Sequence, residues 1–240
     1  MAAAVVGAKV PNVISFAQYG EDLILWGALS DVDRGFYIDA GAGDPHNDSV
    51  TKLFYEAGWR GINIEPCPRS FDQISVARPR DLNLRLAASN QSGVAKLYEV
   101  EEMPGLSTTI DHLANGYLAK GMKICSYDVP CATLADICSG NVHGEIHFLK
   151  IDVEGAERSV LEGCNFNRFR PWLLAIEATV PCTYTPSHEE WEHLVLGAGY
   201  EFALFNEINR YYVAREHAGR KRRVQTPSFP TSRETPGANH

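Results

Sequence analysis

The sequence predicts an α/β domain whose core is a mostly parallel, seven-stranded sheet with helices on both faces. Three observations point there. Short β-branched or aromatic runs alternate with amphipathic stretches along most of the chain. One apolar run passes directly into a glycine turn, at Phe36-Tyr-Ile-Asp-Ala-Gly-Ala-Gly43. Three others end in acids, at Glu65, Asp152 and Glu177, as strands do when their carboxyl ends form a ligand-binding edge.

Strands are expected at residues 35–40, 61–65, 82–88, 146–152, 172–178, 200–205 and 210–214. Helices are expected between them at 49–57, 70–77, 133–138, 156–162 and 188–196, several opening on an N-cap residue or a proline. Residues 92–130 fit the alternation less well. Within them, 96–100 and 126–130 read as extra strands flanking a polar loop, an insertion placed to shape ligand choice. Residues 1–14 read as a flexible lead and 15–217 as the domain. Residues 218–240, rich in Pro, Ser, Thr, Gly and charge, read as a disordered basic tail.

Hydrophobic residues make up 45% of the chain and charged residues 22%, enough apolar side chain for one sizeable core. The net charge is -8, yet residues 215–240 carry six Lys/Arg against two acids, so the body before them is near -12. A body of that sign is not built to neutralise phosphates, which argues against nucleic acid as a partner. The run Arg220-Lys-Arg-Arg223 is the main basic cluster and reads as a solvated tail. Six cysteines show neither a C-x-x-C pair nor zinc spacing and read as reduced thiols. The opening run is too short to span a bilayer and lacks signal-peptide order, and a cytoplasmic protein is expected.

The chemistry is carried by three blocks. In the first, Gly41 and Gly43 let backbone approach a ligand closely, but His46 stands where a dinucleotide fingerprint needs its third small residue. Asp39, just ahead of the glycines, suits a cationic ligand better than a pyrophosphate. In the second block, Gly61-Ile-Asn-Ile-Glu-Pro66, a strand delivers Glu65 24 positions after Gly41, where a carboxylate can accept two hydrogen bonds from a ribose. The third block is His147-Phe-Leu-Lys-Ile-Asp-Val-Glu-Gly-Ala-Glu157, which brings Asp152 and Glu154 to the strand-end edge before a turn at Gly155. Glu177 closes the neighbouring strand. Three acids at one edge can orient a hydroxyl, accept a proton or hold a cation, and crowding raises at least one of their pKa values. The plain alternative is a set of solvated turn acids. The indoles Trp59, Trp172 and Trp191 read as core.

Together the blocks resemble the FkbM family of S-adenosylmethionine-dependent methyltransferases, over about residues 15–217. The resemblance rests on Ser15-Phe-Ala-Gln-Tyr-Gly-Glu-Asp22, Ile38-Asp-Ala-Gly-Ala42, Asp48-Ser-Val-Thr51, Gly58-Trp-Arg-Gly-Ile-Asn-Ile-Glu-Pro66 and Phe148-Leu-Lys-Ile-Asp-Val-Glu-Gly-Ala-Glu157. It implies a Rossmann-like class I methyltransferase fold and O-methylation of sugar hydroxyls on glycans, glycolipids or glycosylated natural products, in association with glycosyltransferases. By the same resemblance Asp39, Gly41 and Glu65 contact the cofactor, and Gln18, Tyr19 and Asp22 close over it. The cofactor set extends to Ser49, Pro66, Ala88 and Asp152. Ser107, Thr108 and Asn209 are expected on the substrate side. One departure is Phe205-Asn-Glu-Ile-Asn-Arg-Tyr211, where related sequences tend to carry Asp-Gly before the Asn-Arg pair.

On this reading Asp152 or Glu154 is the base that takes the acceptor proton, with Glu177 and His46 behind them. A metal-assisted version would place Mg²⁺ among the same acids, and transfer without a metal is favoured. Two other classes remain open to the sequence: a nucleotide-dependent oxidoreductase on the same fold, and a non-catalytic cofactor-binding partner of a glycosyltransferase.

Overall fold

A computed structural model describes residues 14–227. Ten strands follow one another as β1 (Phe36–Ala40), β2 (Arg60–Ile64), β3 (Leu82–Leu84), β4 (Ala87–Ala88), β5 (Gly93–Val100), β6 (Ile124–Ala132), β7 (Phe148–Ile151), β8 (Leu173–Glu177), β9 (Tyr200–Asn206) and β10 (Asn209–Ala214). Eight α-helices accompany them: α1 (Glu21–Ala28), α2 (Lys52–Glu56), α3 (Pro68–Ala77), α4 (Asp111–Ala119), α5 (Leu134–Asn141), α6 (Glu157–Glu162), α7 (Glu192–Gly197) and α8 (Lys221–Gln225).

The seven expected strands assemble into one sheet of order β3-β2-β1-β7-β8-β10-β9. β10 runs antiparallel to both its neighbours, and the other pairings are parallel. From β1 the chain winds outward through β2 to β3, then crosses back to β7 and winds the other way. The order therefore reverses between β1 and β7, and a crevice opens there beyond the strands' carboxyl ends.

Alternation along each strand divides the core in two. Ile38, Ile62, Leu149, Ile151, Leu174 and Ile176 face one side, where they meet side chains of α5, α6 and the α7 region. Tyr37, Phe148, Leu173, Ala175, Tyr211 and Val213 face the other, against α1, Phe54 of α2 and Val224 of α8. Trp59 and Trp191 are fully enclosed in these cores, as the sequence suggests.

The insertion forms a second sheet, β4-β6-β5, in which β5 and β6 pair antiparallel from Gly93↔Cys131 to Val100↔Ile124. The run expected as one strand, 82–88, is thus two: β3 stays in the main sheet while β4 pairs with β6. Among the described residues α1, α4 and α8 are helices the sequence does not mark. α1 starts at the end of the 15–22 block and runs on to Ala28, and α4 lies inside the polar loop of the insertion.

The tail departs from expectation. Residues 215–225 form a 3-10 turn and α8, burying Val224 completely. The basic run is paired along most of its length: Arg220 and Arg223 reach Asp31, and Lys221 reaches Glu201. Residues 1–13 of the flexible lead and 228–240 of the tail lie outside the described residues. Among the described residues no helix is long and apolar enough to cross a membrane.

Candidate active site

A cavity of about 580 Å³ opens at the switch point, within the range of small-molecule sites. Its walls come from the loop after β1, the ends of β2 and β7, the segment leading into α1, and the insertion. Glu65, Gly41 and Asp152 follow β2, β1 and β7 and Glu177 ends β8, so they stand in that order along the edge, the first three lining the cavity and Glu177 not.

Gly41 lines the cavity, and close packing gives a second reason for a glycine here. At φ 81°, it lies so close to β7 that a Cβ would sit 1.7 Å from the Asp152 carbonyl oxygen. It packs main chain against main chain. Gly43, at φ 59° with open space around it, is the glycine that leaves room for a ligand. Glu65 fixes this loop, accepting from Gly43 N at 2.8 Å and from Cys67 N at 2.8 Å. Burial pushes its pKa up, and these two N–H groups oppose the shift. Each oxygen keeps a second lone pair for a ligand hydroxyl.

Below the loop lies a charged platform missed by the sequence reading. Lys150, on β7, is in register with Asp39 on β1, and its Nζ donates to Gly41 O at 2.6 Å. The same Nζ stands 3.3 Å from Asp39 and 3.5 Å from Asp152. Burial alone would lower its pKa, but the charges of Asp39 and Asp152 outweigh that and hold the ammonium charged. Asp39 also accepts from Thr51 Oγ1 at 2.8 Å. The buried Arg78 then donates to Thr51 Oγ1 and to Ser49 Oγ. Asp39 and Ser49 are consequently internal struts: both are buried and neither lines the cavity.

Asp152, Glu154 and Glu177 do converge, with one carboxylate oxygen from each lying within 4.8 Å of the others. Glu154 sits in the left-handed region at φ 53°, followed by Gly155 at φ 94°. Thr108 Oγ1 pins this turn by donating to Glu154 O at 2.7 Å, so Thr108 shapes the site without lining it. Burial, then the Asp152 charge, pushes Glu154 up to about 9 and Glu177 up to about 11. Glu157, also missed from sequence, accepts from Val153 N and Gly155 N, and burial raises it to about 7.

Other expectations sort as follows. Gln18, Pro66, Ala88, Ser107 and Asn209 line the cavity. Asn209 does so while donating to Glu21 Oε1 at 2.8 Å, and Glu21, a wall residue unmarked in the sequence, is raised by burial. Tyr19 does not line the cavity. Asp22 instead accepts from Ser15 Oγ and Phe16 N, holding the chain ahead of α1. His46 is exposed and does not line the cavity, although Asp44 and Asn47 on either side of it do.

Fold and cavity define an open α/β domain that takes its ligand at the switch point. The chain belongs to the FkbM methyltransferase family, whose domain model, Methyltransferase FkbM domain, matches residues 39–202. It is an S-adenosylmethionine-dependent methyltransferase, and the oxidoreductase alternative falls away. Two solved structures are similar at low identity. One is a TehB-like SAM-dependent methyltransferase from Corynebacterium glutamicum, 9% identical at TM-score 0.44, the match covering 82% of this chain and 88% of that one. The other is Aeropyrum pernix fibrillarin with natively bound S-adenosyl-L-methionine, 15% identical at TM-score 0.39, covering 87% and 86%. No curated protein matches the sequence.

Proposed function

We propose that the chain methylates a hydroxyl oxygen of a sugar-containing acceptor, with Asp152 taking the proton. The observation that carries the reading is the position of the three acids, beside the glycine loop and one or two strands beyond it. Strands lie about 4.8 Å apart, so Glu65 and Glu177 are separated by about 14 Å along the edge. That span accommodates a cofactor held at one end and an acceptor at the other.

In this arrangement Glu65 would accept from the ribose hydroxyls, and Ala88 and Leu97 of the insertion sheet, which line the same cavity, would hold the nucleoside end. Glu21 and Gln18 face the amino-acid end, where a carboxylate complements the cofactor's ammonium. The acceptor oxygen attacks the methyl carbon as the carbon–sulfur bond breaks, and the electron pair leaves with sulfur as S-adenosylhomocysteine. The hydroxyl proton passes to Asp152, whose side chain is 31% exposed, whereas Glu177 is buried. Holding both reactants in line is worth roughly 7–11 kcal/mol. A placed base adds about 10²–10⁴-fold. A polyhydroxylated acceptor suits a wall of carboxylates because each hydroxyl can donate to one.

The test is Asp152→Asn, assayed with a panel of glycans and glycosides and labelled S-adenosylmethionine. Turnover should fall by about 10²-fold or more, while S-adenosylhomocysteine affinity stays within a few-fold. Undiminished turnover removes Asp152 from the chemistry, and labelling confined to acceptors without sugar refutes the acceptor class.

A further inference from the structure

The acids at the ends of β7 and β8 leave an electrostatic problem that the methyl donor does not solve. Glu21, Glu65, Asp152, Glu154, Glu157 and Glu177 stand at or near this edge, and among the described residues Lys150 is the buried ammonium beside them, already shared with Asp39. A bound methyl donor brings an ammonium and a sulfonium but also a carboxylate, so its net contribution is a single positive charge.

Two further observations locate the deficit. Glu177 is 5% exposed, and its Oε2 is buried without a hydrogen-bond donor among the described residues. Glu154 Oε2 is buried and unpartnered in the same way. A buried carboxyl oxygen with no partner costs its desolvation, and a buried carboxyl group that ionises is normally paired or bound to a metal. Lys150 cannot serve them, because its Nζ is committed to Gly41 O, Asp39 and Asp152.

We propose that Asp152, Glu154 and Glu177 bind one divalent cation through oxygen ligands, of the Mg²⁺, Mn²⁺ or Ca²⁺ class. The geometry suits that class. Oxygens on opposite sides of a cation bound at 2.0–2.6 Å are about 4–5 Å apart, and the three acids offer oxygens within 4.8 Å of one another. Neither thiol nor imidazole belongs to the group, which disfavours soft metals. Asp152 Oδ2 faces Lys150 Nζ at 3.5 Å and keeps a lone pair for the acceptor proton when the other oxygen binds the cation. Cation binding does not depend on the acceptor being a sugar. This departs from the metal-free transfer that the sequence alone favours.

The experiment uses the full chain, stripped with EDTA and desalted, then titrated with Mn²⁺ while the free ion is followed by electron paramagnetic resonance. One Mn²⁺ per chain is expected, displaced by excess Mg²⁺ or Ca²⁺. Binding should weaken at least ten-fold in Glu177→Gln. Asp152→Asn, altered at a partly exposed position, provides the same test should the buried substitution impair folding. Less than one ion per chain at millimolar Mn²⁺, or wild-type binding in both variants, overturns the proposal. Calorimetry with S-adenosylhomocysteine on the same sample separates failure of the cation site from failure of the cofactor cavity.

Discussion

Lys150 does more to hold the site together than any residue the sequence put forward. Its ammonium joins the loop after β1 to the end of β7 and neutralises Asp39, which is 1% exposed. Removing one partner from a buried ion pair typically costs about 3–5 kcal/mol, because the other charge is left uncompensated. Lys150→Met should therefore lower stability by about that amount in urea unfolding. A loss under about 1 kcal/mol would mean that Asp39 is served another way. The lysine is visible in Phe148-Leu-Lys-Ile151 as a charge inside an apolar run. Its role is not visible, because it depends on the register Asp39↔Lys150, set by strands more than a hundred residues apart. Asp39 misled for the same reason: an acid before a glycine turn reads as a ligand contact until its internal partners are known. Glu65, Gly41 and the three acids were legible because each stands at a strand end, where sequence position and placement in the fold coincide.

At the scale of elements, the clearest departure is α8, expected as part of a tail. Its charges concealed the one residue that anchors it, Val224, whose complete burial stabilises by about 1.5–3 kcal/mol. Arg220 and Arg223 dock the helix on Asp31, just after α1. The Arg220 hydrogen bond holds the Asp31 carboxyl down at about 2, from an ordinary 3.8. A depressed carboxylate stabilises fully above its unfolded pKa, and that contribution disappears as pH falls through the folded value. The pair is half exposed and partly screened, so its effect is modest. The melting-temperature advantage of the wild type over Asp31→Asn should thus be constant above about pH 4 and shrink toward about pH 2. Parallel profiles would show that the pair contributes nothing. α4 was hidden by a different cause: it buries only Ala114 and Tyr117, too few apolar positions for a clear helical period.

For the whole molecule, the seven strands and their mostly parallel arrangement followed from alternation of short apolar runs with helices, since few folds satisfy that pattern. The sequence did not reveal how the insertion divides at residues 85–86, sending β4 to a second sheet that walls one end of the cavity. Local pattern contains no record of which sheet a two-residue strand will join. The result is a crevice with Glu65 at one end, the proposed cofactor end, and the acids Asp152 and Glu154 at the other. Isothermal calorimetry of S-adenosylhomocysteine against the wild type and Glu65→Ala addresses that arrangement most directly. One site per chain is expected in the wild type, with affinity at least ten-fold weaker in Glu65→Ala. Equal affinities in two folded proteins would contradict the account and place the cofactor elsewhere.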